Sequence, residues 1–278
     1  MREARPLLAT SAQVRHVISL ELSLSIRSLV SWVLPVGALL AMTLGLQKSM
    51  SQAGSAFELK IRMMPRPMLA AFGMEHINLR DPVGYLATNW STITLITALF
   101  ASLLGATLAS RESASQLSET LYTQPIERHT VLVGKALAGV LVLLAFNVTL
   151  SLVGWVTYAF AGVAISRPGA FVSVFAGTFL VHTTVFALSI LAAVSAQHAR
   201  SASSRALGIT FGLYGLGMVA RITERADKLK YLSPFSYADA SDIAQTGGLQ
   251  ARVAVLAVAT VALLIAAIVR LNRNDMGV

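Results

Sequence analysis

Glu112 and Glu119 stand seven positions apart, two turns on a helix, so both carboxylates project from one face. They belong to a charged stretch, 111–128, that reads Arg-Glu-Ser-Ala-Ser-Gln-Leu-Ser-Glu-Thr-Leu-Tyr-Thr-Gln-Pro-Ile-Glu-Arg and is followed by Lys135. The chemistry open to such a segment is recognition by charge. Pro125 ends the short helix, and Arg128 and Lys135 then anchor the start of the next apolar run at headgroup level. A rigid charged knob of this kind fits a cleft on a soluble partner. The residues alone also fit a plain interfacial loop whose charges are solvated.

Bond-making chemistry finds little to work with. The 13 acids and five histidines are scattered along the chain, and no HExxH or GxSxG occurs, so no catalytic or metal site is expected. Gly134-Lys135 lacks the upstream Gly and the following Ser/Thr that cradle phosphate and magnesium in a P-loop. Any ATP must therefore be held by another chain. Met63, Met64, Met68 and Met74 offer thioethers that would suit Cu(I), but no His or Cys completes a site, and they read as apolar gap-fillers. With no cysteine there is no disulfide or thiolate chemistry. His182 falls in the middle of an apolar run, where an ionisable group is a functional candidate by default. The alternative is a neutral ring bonded to a neighbouring carbonyl or hydroxyl, with Thr183 and Thr184 beside it. Arg221, Glu224, Arg225, Asp227, Lys228 and Lys230 form a mixed-charge cluster, read as a solvated loop or short re-entrant helix.

The elements that must position these residues are membrane spans. The chain of 278 residues is 55% hydrophobic and 13% charged, against about 25% charged for a soluble domain. Six apolar runs reach or approach spanning length, at 29–46, 90–109, 131–160, 171–196, 207–220 and 253–269. The fold class expected is an all-α integral membrane protein, one domain over 1–278. It comprises an interfacial helix at 1–28, a six-span bundle over 29–270 and a cytoplasmic tail at 271–278. In the interfacial segment Val14, Val17, Ile18, Leu22, Ile26 and Leu29 recur at helical spacing, with Arg15, His16, Glu21 and Arg27 on the opposite face. An ordinary solvated helix packed on protein is the other reading. The net charge of +9 flanks the apolar runs and suits anionic headgroups of the bilayer rather than nucleic acid. An even number of spans puts both termini on one side. A cytoplasmic assignment divides the 22 Lys and Arg equally, but the short loops 110–130 and 197–206 favour it over 161–170.

The run Glu119-Thr-Leu-Tyr-Thr-Gln-Pro-Ile-Glu-Arg128 and then Lys135 resembles the signature of ABC-2-type transporter permeases. Tyr231-Leu-Ser-Pro-Phe-Ser-Tyr237 is similar to the family's segment before the last span, and Arg273-Asn-Asp275 to its cytoplasmic ending. Asn147 stands where a polar residue is common in the family. Glu127 and Ser115 depart from the pattern, where Ser and Gly are usual. The resemblance implies a transmembrane permease subunit of an ATP-driven exporter in a bacterial cell (inner) membrane, with a lipophilic or amphipathic substrate. It implies a separate ABC ATPase subunit carrying ATP and magnesium, with no cofactor in this chain. The partner would be met through Glu112, Glu119, Thr123, Pro125, Arg128 and Lys135 of a cytoplasmic coupling hairpin. It implies a second permease copy or homologue, packed through the first and fifth spans. Gly208 and Gly212 form a GxxxG followed by Gly215, and small residues let helix backbones approach in lipid. Packing within one subunit would use the same glycines. Asn147 and His182 are the expected lining of a substrate path. The rival classes are a membrane-embedded enzyme or assembly factor without an ATPase partner, which needs acids or histidines converging at one depth. A proton-driven carrier would need buried carboxylates, and none lies in 90–109 or 136–160.

Overall fold

Apolar runs of this length satisfy their backbone in lipid only as helices or closed barrels, and here they form helices. The computed structural model describes residues 4–52, 63–65, 68–69, 80–114, 128–196, 199–222 and 224–274, with no strand among them. In chain order the helices are α1 (Ala4–Gly45), α2 (Gln47–Gln52), α3 (Pro82–Ala114), α4 (Arg128–Phe160), α5 (Pro168–Val194), α6 (Ala199–Ile222), α7 (Ala240–Thr246) and α8 (Ala254–Asn274). Between α6 and α7 lie 3-10 helices at Glu224–Tyr231 and Pro234–Ser236. The mixed-charge cluster is therefore a short helix rather than an open loop.

Among the described residues five stretches are long and apolar enough to cross a membrane: Gln13–Gln52, Pro82–Ser110, Thr130–Phe160, Pro168–Val194 and Ala251–Leu271. The chain is a multi-pass membrane protein. The sixth expected span, 207–220, is part of α6, whose 24 residues reach about 36 Å at ~1.5 Å each. Its length suffices, but Arg200, Arg205 and the serines around them dilute its apolar character.

The division at residue 28 does not mark a helix end. The expected surface helix and first span are one uninterrupted helix of 42 residues. Of the expected polar face Arg15, His16 and Arg27 are exposed, but Glu21 is buried, while Ile26 of the apolar set is exposed. Helix α4 stops where Gly162 takes φ +66, and its last carbonyls are capped by the N–H of Gly162 onto Ala159 O and of Val163 onto Tyr158 O. Pro168 then opens α5 at a position where its missing N–H costs nothing.

Packing falls into two groups. Helix α1 lies along α4, while α3 packs on α5 and α6, and α8 packs on α5. In the most apolar window of α5, 72% is buried, against 22% for α8, so α5 is the central helix and α8 a peripheral one. Aromatic rings join the groups. Trp32, Phe100 and Phe146 stack in series at 5.7 and 4.7 Å, and Phe171 and Phe175 continue to Trp90 at 5.0 and 4.7 Å. Side chains such as Leu34, Met42, Leu152 and Val258 remain exposed, as lipid-facing residues do when hydrocarbon replaces water.

Candidate functional site: the hairpin base and the polar core

Helix α3 ends at Ala114 and α4 begins at Arg128, so the charged segment connects two spans. Glu119, Thr123 and Pro125 lie outside the described residues. Glu112 and Arg128 are placed by their backbone only, in the last turn of α3 and the first of α4. Lys135 is the coupling candidate whose side chain is described, and it corrects the expectation. Only 5% exposed, it turns into the bundle instead of anchoring at headgroups. Its Nζ donates to Leu108 O of α3 at 2.9 Å and lies 3.8 Å from Glu21 Oε1 of α1. An ammonium buried at membrane depth needs a counter-charge and acceptors. Helices α1 and α3 supply them to α4 at the base of the hairpin.

Glu21 is the residue the amphipathic pattern misses. Read as part of a solvated face, it is 4% exposed. A signal existed: it is the one acid in the 42 residues of α1, and Lys135 is a base set among apolar residues of α4.

Asn147 and His182 are brought together, but in the interior. They are 4% and 0% exposed, so in this conformation neither borders a path open to substrate. Their bonds define one proton arrangement. Asn147 Nδ2 donates to Leu143 O at 2.8 Å, which fixes the amide, and meets His182 Nδ1 at 3.0 Å. Nδ1 is therefore the acceptor and the proton sits on Nε2. That nitrogen lies 2.8 Å from Thr97 Oγ1, whose own proton goes to Ile93 O at 2.8 Å. Every polar atom of the ring is satisfied in its neutral form, the bland alternative that the sequence left open. The partners come from α3 and α4, not from the adjacent Thr183 and Thr184. Further rungs tie α5 to its neighbours. Trp90 Nε1 donates to Thr178 Oγ1 at 2.7 Å, the Ser102 and Ser189 hydroxyls meet at 3.2 Å, and Thr184 Oγ1 lies 3.1 Å from Thr260 Oγ1.

The glycines of α6 separate into two kinds. A Cβ added to Gly208, Gly212 or Gly215 would meet nothing within 4 Å, whereas at Gly217 it would meet Ser233 Oγ at 2.6 Å. Packing inside the subunit accounts for Gly217 alone. The other three share an uncovered surface with Ile209 and Phe211, both exposed.

At the opposite end of the bundle the charged residues are paired. Arg221 lies 2.6 Å from Asp239, whose Oδ1 caps α7 by accepting from Ser241 N at 2.8 Å. Arg167 bridges Asp81 before α3 to Ala244 O of α7. Among the described residues no three His, Asp or Glu side chains gather where they could hold a metal ion.

A family model described as ABC-2 family transporter protein matches residues 15–276. None of the curated proteins searched matches the chain.

Proposed function

We infer the function from one premise: the chain belongs to the ABC-2 family of transporter proteins. It is the transmembrane permease subunit of an ABC transporter that works as an exporter. A separate ATPase docks on the hairpin between α3 and α4, with ATP and magnesium bound on that partner. Glu112, Glu119, Thr123, Pro125 and Arg128 form the contact, because complementary charge sets register and on-rate more than affinity. Lys135 serves from within. The chain sits in a bacterial cell membrane with both termini cytoplasmic.

Two copies, or a copy and a homologue, pack through the uncovered glycine face of α6. Residues Gly208, Ile209, Phe211 and Gly212 are uncharged, with the exposed Arg205 at one end of the same face, which suits passage of a lipophilic or amphipathic molecule. The observation that carries the reading is the combination of a family match over nearly the whole chain with a charged inter-span segment whose arms are tied at their base by Lys135.

The test is a pull-down of the tagged chain from its native membrane in mild detergent, with mass spectrometry of what comes with it. A stoichiometric soluble chain bearing a P-loop is the expected result. A chain recovered alone, at gentle salt with ATP present, overturns the reading. In the recovered complex, Glu119→Lys or Arg128→Glu is expected to lower transport at least about tenfold while ATP hydrolysis continues, since losing register costs more than a kcal/mol. If those variants lose the protein itself, the residues are structural.

The dimer has its own prediction. Gly212→Leu places bulk on the open face, so the protomer's melting temperature stays within a degree or so of its starting value. The assembled species falls from dimer to monomer on size-exclusion chromatography with light scattering. A persistent dimer would show that the copies meet elsewhere.

A further inference from the structure

We infer that Glu21 is a positioning residue for coupling: by holding Lys135 it fixes the second arm of the hairpin, α4, to α1. The significance of this contact rests on the hairpin being the place where the ATPase docks; the contact itself does not.

The arms of the hairpin belong to different packing groups. The first arm, α3, is bound to α5 by the rungs Trp90–Thr178, Thr97–His182 and Ser102–Ser189. The second arm, α4, lies along α1. Near the hairpin the α1–α4 contact reaches backbone distance. A Cβ at Gly134 would stand 2.8 Å from Val17 Cγ1, 3.0 Å from Val17 Cβ and 3.5 Å from Val14 O, so the Val17 side chain seats directly on the bare backbone of α4 there. Glu21 is one turn above Val17 on the same face of α1, and Lys135 is the residue after Gly134. The ammonium thus meets a carboxylate on α1 and a carbonyl on α3 from its seat on α4. Displacement of the hairpin is passed to α1 at this junction. The first helix is moved by the second arm and need not itself touch the ATPase to follow it.

The chain has no cysteine, so introduced pairs are the only thiols. V17C/G134C reports the clasp near the hairpin. G37C/V153C reports the same two helices further along, where the Cβ position of Gly37 is 3.8 Å from Val153 Cγ2. Both pairs are oxidised with copper phenanthroline in native membranes, in otherwise unchanged chains and in chains carrying Glu21→Gln. Glu21→Gln is expected to slow cross-linking at 17/134 several-fold and to leave 37/153 unchanged. The charge swap E21K/K135E is expected to restore the 17/134 rate. Equal 17/134 rates with and without Glu21→Gln overturn the inference. If Glu21→Gln does not accumulate, the swap decides: recovery of level and cross-linking supports the pair, and no recovery overturns it.

In the purified complex with the ATPase, Glu21→Gln is expected to reduce substrate moved per ATP hydrolysed. An unchanged ratio leaves a clasp without a coupling role and overturns the positioning claim. Failure to recover any ATPase would instead overturn the transporter reading, because the cross-linking result does not depend on it.

Discussion

Lys135→Met destabilises the protein by about 3–5 kcal/mol, and Glu21→Met does the same, while the double replacement Glu21→Met/Lys135→Met recovers most of the loss. Each single change takes from one buried ion the opposite charge that stood 3.8 Å away. The attraction between the ions offsets little more than the cost of dehydrating them, so removing both removes the charge imbalance as well. Leu108 O keeps a partner in the double variant, since it lies inside α3, which runs on to Ala114, and a helical carbonyl accepts from the N–H four residues on. Thermal melting in mild detergent reads the effect. Additive losses in the double variant would show that the two side chains do not interact.

The second large effect is at Gly105. A Cβ there would stand 2.6 Å from Phe186 O, a backbone atom of α5, and 3.0 Å from Ser189 Cβ. The backbone of the central helix cannot turn aside as a side-chain tip can, so Gly105→Ala costs about 1–3 kcal/mol by overpacking, and Gly105→Val prevents α3 and α5 from closing. Gly208→Ala, which meets nothing inside the protomer, is the contrast: in the separated protomer it gains up to about 1 kcal/mol from helix propensity. The measurement is the same melting experiment. Equal behaviour of Gly105→Ala and Gly208→Ala would contradict the close approach of α3 and α5.

The spans were legible because lipid forces long apolar runs into helices, and each of the six expected runs coincides with part of a long helix to within two residues at its ends. What the pattern misjudged was one residue. Alternating apolar and charged residues over 14–29 read as a helix with its charges toward water; Arg15, His16 and Arg27 are exposed, yet Glu21 points inward to meet Lys135. A buried ion of this kind answers a charge on another helix, which spacing along its own helix does not show. The continuity of α1 is hidden by composition: the polar-to-apolar change at residue 28 lies inside one helix. His182 could be recognised as unusual, but not its partners. Thr97 and Asn147 come from other helices, and the register that brings them within 3.0 Å is set by packing at Phe100, Phe146 and Gly105, not by spacing along the chain. The glycines of α6 were legible as a group. Only the folded chain separates Gly217, which seats Ser233, from the three that face outward.

The hydroxyls of the polar core also bear on how the chain enters the membrane. Thr97, Thr178, Thr184, Ser189 and Thr260 each bond to a carbonyl of their own helix, at Ile93, Val174, Leu180, Val185 and Leu256, and Asn147 does so at Leu143. These side chains carry their own partners out of the translocon, before any neighbouring helix has arrived. His182 has no such provision, because its bonds run to α3 and α4, both made earlier during synthesis. Helix α5 therefore leaves the translocon with one unmet polar group and two waiting receptors, which gives the nascent protein a fixed order of assembly, with α3 and α4 in place before α5 settles between them.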